Sequence, residues 1–424
     1  MSNNEYPSTL SELGAQDVQD LWERVVGRRS FLKGVGMAGA ASVPAAGLLG
    51  AGSAHAAGAR PTRGDIAILR FLAAAEIIES DLWEQYNELG GANGGNPAYM
   101  AALENLDADM PQYVSDNTDD ELSHAAFINA YLRSKGAEPV SLEHFRTLDG
   151  SQATGAKKKK RLTDLTQLNV DTSWYTRYRS GNNPDFGATF PQAVSITNQP
   201  AIPLDDQDTP PDTTVPTPPF PPNTGPKALR MQAIANAAGF HFAMIEQGGS
   251  SLYTTMSLKA SSLEVLRIVV SIGGVETNHF SLWHDKAGNA VAQPLAGITD
   301  PETGLHFPDL NASKSEALQT NLILPEPCEF ISNSLPQCSV VRASSDGLAG
   351  ARAAVRGLIA DGLFQGQSPE FFTFLGRLAD AADAAQRHVS QCARATPRQA
   401  VGAPRQVRTD HRRGPSHTLA EEPS

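Results

Sequence analysis

Apolar positions recur at intervals of three and four residues in four long segments of the chain. This period is typical of an amphipathic α-helix, whereas a half-buried β-strand alternates every second residue. The pattern predicts helices over about residues 64–89, 111–135, 227–247 and 262–286, the third of which extends to Tyr253 or beyond. Glycines follow the first two segments, as is common where helices end. The sequence therefore predicts an all-α protein.

The connection between the second and third of these helices is unusually long. Residues 137–226 show no sustained helical period, and ten prolines fall between Pro200 and Pro226. We expect an irregular connection that runs over the surface. Such a connection fits a four-helix bundle with one long crossover between its second and third helices.

The chain changes character after the fourth predicted helix. Residues 290–345 are rich in proline, and two further helices are predicted over about 346–363 and 369–395. The second of these opens with Ser368-Pro369-Glu370, an N-cap residue followed by proline at the first helical position. Arg, Pro and Ser dominate after Pro397, which is the composition of a disordered tail. The predicted units are a signal at 1–56, a bundle at 57–290 with the crossover 137–226 inserted, a C-terminal helical extension at 291–396 and a tail at 397–424.

The N-terminal segment has the features of an export signal. Gly27-Arg28-Arg29-Ser30-Phe31-Leu32-Lys33 resembles a twin-arginine motif, and a weakly apolar Ala/Gly-rich stretch follows it to about Gly52. Ala54-His55-Ala56 then provides a small-x-small cleavage site. The apolar stretch is too short and too rich in glycine for a good membrane span. We expect a mature protein that begins near Ala57, has no integral membrane span, and lies in the periplasm, in the cell envelope or outside the cell.

A Glu-x-x-His pair occurs twice, each time after a lone glutamate on an apolar helical stripe. Residues three apart lie on one face of a helix, so both side chains of a pair can point at the same metal. Four carboxylates and two imidazoles from four helices are the ligand set of a dinuclear iron or manganese site inside a bundle. The candidate metal ligands are Glu76, Glu121 and His124 in the first block and Glu246, Glu276 and His279 in the second.

Each of these residues taken alone also has a purely structural explanation. Thr118-Asp-Asp-Glu121 fits a capping box, and a lone histidine on an apolar stripe is commonly a core residue. The repetition favours the metal site, because an aromatic residue, Trp83 or Tyr253, stands seven positions after each lone glutamate. Glu79, one turn after Glu76, is an alternative ligand from the first helix.

Several neighbouring residues are open to two interpretations. Gly248-Gly249 and Gly273-Gly274 lie within the third and fourth helical segments, where each glycine costs about 1 kcal/mol relative to alanine. Gly248-Gly249 could bend or interrupt the third helix. Gly273-Gly274 is either a tolerated weak spot, or a place where a facing helix approaches closely, or a local bulge at the site. Asn129, Tyr131 and Tyr253 are candidates for groups that support the metal ligands, and the alternative is that they only fill the core.

The segments that carry these residues resemble ferritin-like proteins related to the plant desiccation-related proteins. The matching segments are Ala67-Ile-Leu-Arg-Phe71 with Glu76-Ile-Ile-Glu79, Glu121-Leu-Ser-His124-Ala-Ala-Phe127, Leu132-Arg-Ser-Lys-Gly-Ala-Glu-Pro139, Glu246 to Tyr253, and Glu276 to Phe280. The resemblance covers roughly residues 64–145 and 227–290. It does not cover the crossover or the C-terminal third, whose extra helices are predicted from the sequence pattern alone. It implies a ferritin-like four-helix bundle in which the six candidate residues bind the metals and one glutamate of the second or fourth helix bridges them.

The net charge of the chain bears on its possible partners. A formal charge of -12 and a pI of about 5.3 argue against a nucleic-acid partner. The basic run 157–161 is an exception, either as a solvated loop or as a docking patch for an anionic surface.

The ligand types indicate which metals the site would bind. Carboxylates with two imidazoles suit two iron or manganese ions better than zinc ions, and iron is slightly favoured over manganese. Ferritin-like proteins oxidise ferrous iron, dismutate peroxide or oxidise organic substrates at such sites.

Two functional hypotheses follow. The first is an exported di-metal oxidoreductase or peroxide-detoxifying protein that acts on oxygen or peroxide in oxidative or desiccation stress. The second is a non-catalytic structural stress protein that has the bundle and no functional metal site.

The sequence contains three cysteines, Cys328, Cys338 and Cys392. They include no Cys-x-x-Cys pair, so an iron–sulfur or zinc-finger site is unsupported. In an exported chain Cys328 and Cys338 would close a short disulfide loop.

Overall fold

The computed structural model describes residues 60–179, 190–211, 214–314, 323–329, 331–341 and 350–387. The predicted export signal and the predicted disordered tail lie outside these ranges, as does Cys392. Within them the chain forms eight α-helices, a few 3₁₀ turns and isolated β-bridges, with no β-strand. The predicted all-α class is therefore confirmed.

The helices agree with the apolar pattern in the bundle and add two short elements. In chain order they are α1 (Arg63–Gly90), α2 (Pro97–Glu104), α3 (Met110–Ser134), α4 (Ser173–Tyr178), α5 (Pro226–Ser257), α6 (Leu263–Ala287), α7 (Ala351–Ala360) and α8 (Pro369–Asp383). The long helices α1, α3, α5 and α6 form the four-helix bundle. The sequence pattern did not predict α2 or α4, because one or two helical turns are too short to show a period.

Hydrogen bonds at one end of the bundle define the helix directions. Asp65, in the first turn of α1, closes a capping box with Thr62 and also accepts a bond of 2.7 Å from the backbone N–H of Ser261, just before α6. At the same end, Lys135 after α3 pairs with Glu264 of α6 at 3.0 Å. α1 and α6 therefore start where α3 and α5 finish. This arrangement requires the long crossover between α3 and α5.

The crossover is more deeply buried than the sequence indicates. Asp81 of α1 is fully buried and accepts bonds of 2.9 Å from the backbone N–H groups of Leu162 and Thr163. Further along, Trp174 is fully buried with its ring centroid 5.4 Å from that of Phe240. The prediction of a connection that only follows the surface is wrong for this part, because apolar residues without a helical period still reach the core.

The basic run 157–161 lies against α1. Arg161 is buried and forms an ion pair with Glu88. Lys159 pairs with Glu84 at 2.5 Å, and Lys160 pairs with Asp149 at 2.6 Å. Arg161 and Lys159 thus attach the crossover to the bundle, whereas Lys157, Lys158 and Lys160 are exposed, as expected for a solvated loop.

The C-terminal helices pack on the bundle and are shorter than predicted. α7 begins at Ala351, directly after the non-helical Gly350, and ends at Ala360 rather than about residue 363, while residues 346–349 of the predicted helix lie outside the described ranges. α8 ends at Asp383, before the non-helical residues 384–387. α8 lies against α1 and α7, and Asp383 accepts a bond of 3.0 Å from the backbone N–H of Ala351 at the start of α7. The predicted N-cap of α8 is present, since Ser368 Oγ accepts from Phe371 N at 3.2 Å.

Two further sequence predictions concern cysteines and membranes. Cys328 is buried and Cys338 is exposed, and the two thiols are not bonded to each other. Among the described helices, none combines the length and the hydropathy that a membrane crossing needs.

Candidate metal centre

Four bundle helices bring the six candidate ligands together in the middle of the core. The four glutamates are fully buried, and the two histidines are nearly so. The side chains form two groups, within each of which the potential ligand atoms all lie within 4.8 Å of one another. The first group is Glu76, Glu121, His124 and Glu276, and the second is Glu121, Glu246, Glu276 and His279. Glu121 and Glu276 belong to both groups, so one carboxylate from α3 and one from α6 lie between two ligand sets.

The Nδ1 atom of each histidine faces the carboxylates. His124 Nδ1 lies 3.1 Å from Glu121 Oε2 and 3.4 Å from both Glu76 Oε2 and Glu276 Oε1. His279 Nδ1 lies 3.1 Å from Glu121 Oε1 and 3.2 Å from Glu246 Oε2. The spacing of three residues in Glu-x-x-His puts both side chains on the inner helix face. Nδ1 is therefore the nitrogen that each histidine would offer to a metal.

The outer nitrogen of His279 has a carboxylate partner that the sequence analysis missed. His279 Nε2 lies 3.1 Å from Asp120 Oδ2, and Asp120 is partly exposed. A carboxylate on the second nitrogen of a ligand histidine fixes the ring orientation and makes the first nitrogen a stronger donor. Asp120 directly precedes Glu121 in the chain, but a helix sends neighbouring residues in different directions, so no sequence pattern predicts this contact.

Asn117 links two of the glutamates and was also missed as a supporting residue. Its Nδ2 donates to Glu121 Oε1 and to Glu246 Oε1, each at 2.9 Å, and its Oδ1 accepts from Trp283 Nε1 at 2.8 Å. Both the nitrogen and the oxygen of the side-chain amide are therefore hydrogen-bonded inside the core. Its position one turn before Glu121 on the same apolar stripe was the available signal.

Of the three supporting residues that the sequence suggested, one contacts the site. The Tyr253 hydroxyl donates to Glu76 Oε1. Asn129 instead bonds the backbone of Val140 in both directions, at 2.8 and 2.9 Å. Tyr131 lies at the end of the bundle, where Lys135 stands 5.1 Å from the centre of its ring and pairs with Glu264. Burial and the charge of Glu264 raise the pKa of Tyr131.

The charges of the cluster perturb one another strongly. Burial raises the pKa of Glu76 to about 7 and also raises the pKa of Glu276, with the charge of Glu121 adding to the effect. Burial acts in the same direction on Glu121, but the two imidazoles outweigh it and its pKa is lowered. Burial opposes protonation of His124 and His279, yet the surrounding carboxylates raise the pKa of both. Protons therefore neutralise the buried carboxylates when no cation does so.

The residues fit a pair of divalent cations. Glu76 Oε2 and both oxygens of Glu276 are buried and have no hydrogen-bond partner among the described residues. Unpaired buried acceptors cost roughly 1–3 kcal/mol each, and more when charged, unless a cation or donor meets them. Two divalent cations would balance the four carboxylate charges, and oxygen and imidazole donors suit iron and manganese.

A family comparison agrees with this geometry. The model of the ferritin-like domain family matches residues 64–289, just over half of the chain. The chain belongs to the ferritin-like domain family. No curated protein and no solved structure gives a significant match. The ferritin-like segment includes all four bundle helices and all six candidate ligands, whereas α7 and α8 lie beyond it.

Glu79, the alternative ligand from the first helix, lies beside the ferritin-like cluster rather than in it. It belongs to neither group of converging ligand atoms, whereas Glu76 does. Burial, followed by the charge of Glu276, raises the pKa of Glu79 well above its usual range. A carboxyl group that stays protonated adds no negative charge to the four ligand carboxylates.

The glycine pairs mark close helix contacts at two of their positions. A Cβ at Gly249 of α5 would stand 2.3 Å from Glu276 Oε2, and a Cβ at Gly273 of α6 would stand 2.7 Å from Tyr253 Cβ. At Gly274 an added Cβ would meet no described atom within 4 Å. The predicted close approach is present at Gly273, while Gly274 is a tolerated weak spot in its helix. The third helix runs through Gly248-Gly249 without interruption, and Gly249 is a second close contact that the sequence did not predict.

We expect Gly249→Ala to lower metal binding, because the new methyl group would displace the Glu276 carboxylate. Alanine is the better helix former by about 1 kcal/mol, so lost helix stability would not explain the effect. Gly274→Ala is the matched control and should keep the metal while raising stability. Metal content and thermal unfolding of both variants test this expectation. Full metal content in Gly249→Ala would contradict the assigned position of Glu276.

Metal affinity should depend on pH around neutrality. A carboxyl group whose pKa is raised to about 7 is protonated below that pH, and a protonated carboxyl group is a poor ligand. Mn²⁺ binding should therefore strengthen from about pH 6 to about pH 8 and release protons. Calorimetric titration in buffers of different ionisation enthalpy measures both quantities. Equal affinity at the two pH values, with no proton release, would argue against Glu76 as a ligand.

Proposed function

We propose that this ferritin-like protein is exported, binds two iron or manganese ions, and uses them in redox reactions of oxygen or peroxide during oxidative or desiccation stress. The observation that carries the proposal is the sharing of Glu121 and Glu276 between the two ligand groups. Shared carboxylates keep two ions close together, and a pair of close ions can act on one small molecule.

The donor types support iron or manganese over other metals. Each group combines three carboxylates with one imidazole, and neither includes a thiolate. Sulfur-rich sites favour zinc, copper(I) or iron–sulfur clusters, whereas mixed carboxylate and imidazole donors suit iron and manganese. When bound, such ions supply the electrons that oxygen and peroxide chemistry requires.

The chain's own residues prepare the site for that chemistry. Asn117 fixes Glu121 and Glu246, and the Tyr253 hydroxyl holds Glu76. Glu276 has no hydrogen bond of good geometry to a described residue, and its one ion-pair contact is that of Oε1 with His124 Nδ1 at 3.4 Å, so its carboxylate is less restrained than those of Glu76, Glu121 and Glu246. Trp83 and Trp283, both fully buried, stack with ring centroids 5.5 Å apart and exclude water from one side of the cluster.

Purified protein produced in iron- and manganese-rich medium should contain about two of these ions per chain. Glu121→Ala removes a carboxylate common to both ligand groups, so it should abolish binding of both ions and any turnover of peroxide or oxygen. Glu104→Ala, which removes an exposed glutamate on α2, is the control and should change neither. Elemental analysis and peroxide consumption are the measurements.

A protein that takes up no metal, and whose Glu121→Ala variant folds and melts like the original, would instead be a structural bundle. Circular dichroism separates this outcome from simple misfolding of the variant. Metal uptake without turnover would leave the metal site standing and remove the redox function.

The export part of the proposal fits the buried position of the centre. The twin-arginine route carries folded proteins, so a centre enclosed by four helices could be loaded before export. Replacing Arg28 and Arg29 by lysine should retain the protein in the cytoplasm, as judged by cell fractionation. Normal export of that variant would remove this part of the proposal and leave the metal centre unaffected.

A further inference from the structure

A cavity of about 190 Å³ lies between the bundle and the C-terminal helices. α1 and α5 form one side of it, and α7 with one residue of α8 forms the other. Its apolar lining includes Phe71, Leu82, Leu252, Val355, Leu358 and Leu375. The ferritin-like segment ends before α7. The C-terminal extension therefore adds a wall to the bundle and leaves between them an apolar cavity that is open on one side.

The cavity borders the metal centre at Gly249. This glycine lines the cavity, and a Cβ on it would stand only 2.3 Å from Glu276 Oε2. Glu276 belongs to both ligand groups. Gly249 thus borders both the cavity and a shared ligand carboxylate. A molecule in the cavity would lie next to the centre without passing through the helix bundle.

Glu79 gives the cavity one unsatisfied polar group. Its side chain lines the cavity, is 8% exposed, and makes no hydrogen bond or ion pair within the described part of the chain. A buried carboxyl group without a partner is costly, and a ligand with a hydrogen-bonding group would remove that cost. The other buried carboxylate in the lining, Asp361, already pairs with His241 Nε2 at 2.9 Å.

We propose that this cavity binds a small apolar alcohol, with its hydroxyl group on Glu79 and its hydrocarbon part against the leucines. A hydroxyl group can donate to a carboxylate and accept from a carboxylic acid, so it matches Glu79 in either form. The cavity volume of about 190 Å³ is large enough for such a molecule, because an apolar cavity of about 150 Å³ holds a benzene molecule. The exposed residues Asn169 and Ala360 lie at the rim of the cavity, where a ligand enters.

The location beside Gly249 brings the bound alcohol next to the metal centre, and its role as a substrate rests on the proposed function. In that reaction the alcohol would lose two electrons and two protons to become a carbonyl compound, and one molecule of peroxide would take them up to form two molecules of water. The binding step does not rest on the proposed function, because it uses residues outside both ligand groups. The two steps can therefore be tested separately.

Binding is tested on the metal-free full-length protein with benzyl alcohol and its near-isostere toluene as probes, by calorimetric titration. Benzyl alcohol should bind saturably and more tightly than toluene. Ala354→Phe fills the cavity from α7 and should weaken benzyl alcohol binding by about tenfold or more. Ile359→Phe, on the same helix but pointing to solvent, is the matched control and should bind normally. Glu79→Leu should remove the preference for the alcohol.

The substrate step is tested on Co²⁺-loaded protein, whose visible absorption reports on the ligands of the metal. Benzyl alcohol should shift this spectrum in the original protein and in Ile359→Phe, but not in Ala354→Phe. Absence of saturable binding, equal binding of toluene and benzyl alcohol, or unchanged binding in Ala354→Phe would overturn the inference, even with a fully loaded metal centre. Cavity binding in a protein that takes up no metal would keep the binding site and remove both the substrate role and the proposed function.

Discussion

The fold is organised around four glutamate side chains that are buried together at the middle of a helical bundle. Like charges at such distances in a low-dielectric interior cannot all remain ionised without compensating cations. The metal-free chain responds with protons, as the raised pKa values of Glu76, Glu276 and the two histidines show. A pair of divalent ions would replace those protons. The cluster is thus costly for an apo protein and well suited to a metalloprotein.

The first helix pair, α1 and α3, and the second pair, α5 and α6, supply matching ligands to this cluster, but the residues that support those ligands differ. Each lone glutamate is followed seven residues later by an aromatic residue, and the two aromatic residues have different roles. Trp83 stacks on Trp283 beneath the site, and Tyr253 bonds Glu76 across the bundle. Asn117, Trp283 and Trp83 join the ligands to the aromatic core in one continuous set of contacts. This unequal support leaves Glu276 the least restrained ligand, next to the glycine of α5 and the cavity.

Much of the bundle could be predicted from the sequence, because its helices are long enough to repeat the apolar period several times. The six converging residues were predictable for the same reason, since a Glu or His on an apolar stripe needs a partner in the core. Asp120 and the buried part of the crossover were not, because their positions depend on contacts between distant segments. The cavity was equally hidden, since it needs α7 and α8 to pack against α1 and α5. Periodicity describes one helix at a time, and these features arise from several elements together.

The central claim is that Glu121 and Glu276 each serve two metal ions, and anomalous X-ray diffraction from crystals of the metal-loaded protein tests it most directly. Data collected at the iron and manganese absorption edges should show two peaks inside the bundle. One should lie beside Glu76 and His124 Nδ1, the other beside Glu246 and His279 Nδ1, and both should be within bonding distance of Glu121 and Glu276. A single peak bound by only one of the two groups, or no peak inside the bundle after loading, would contradict the account.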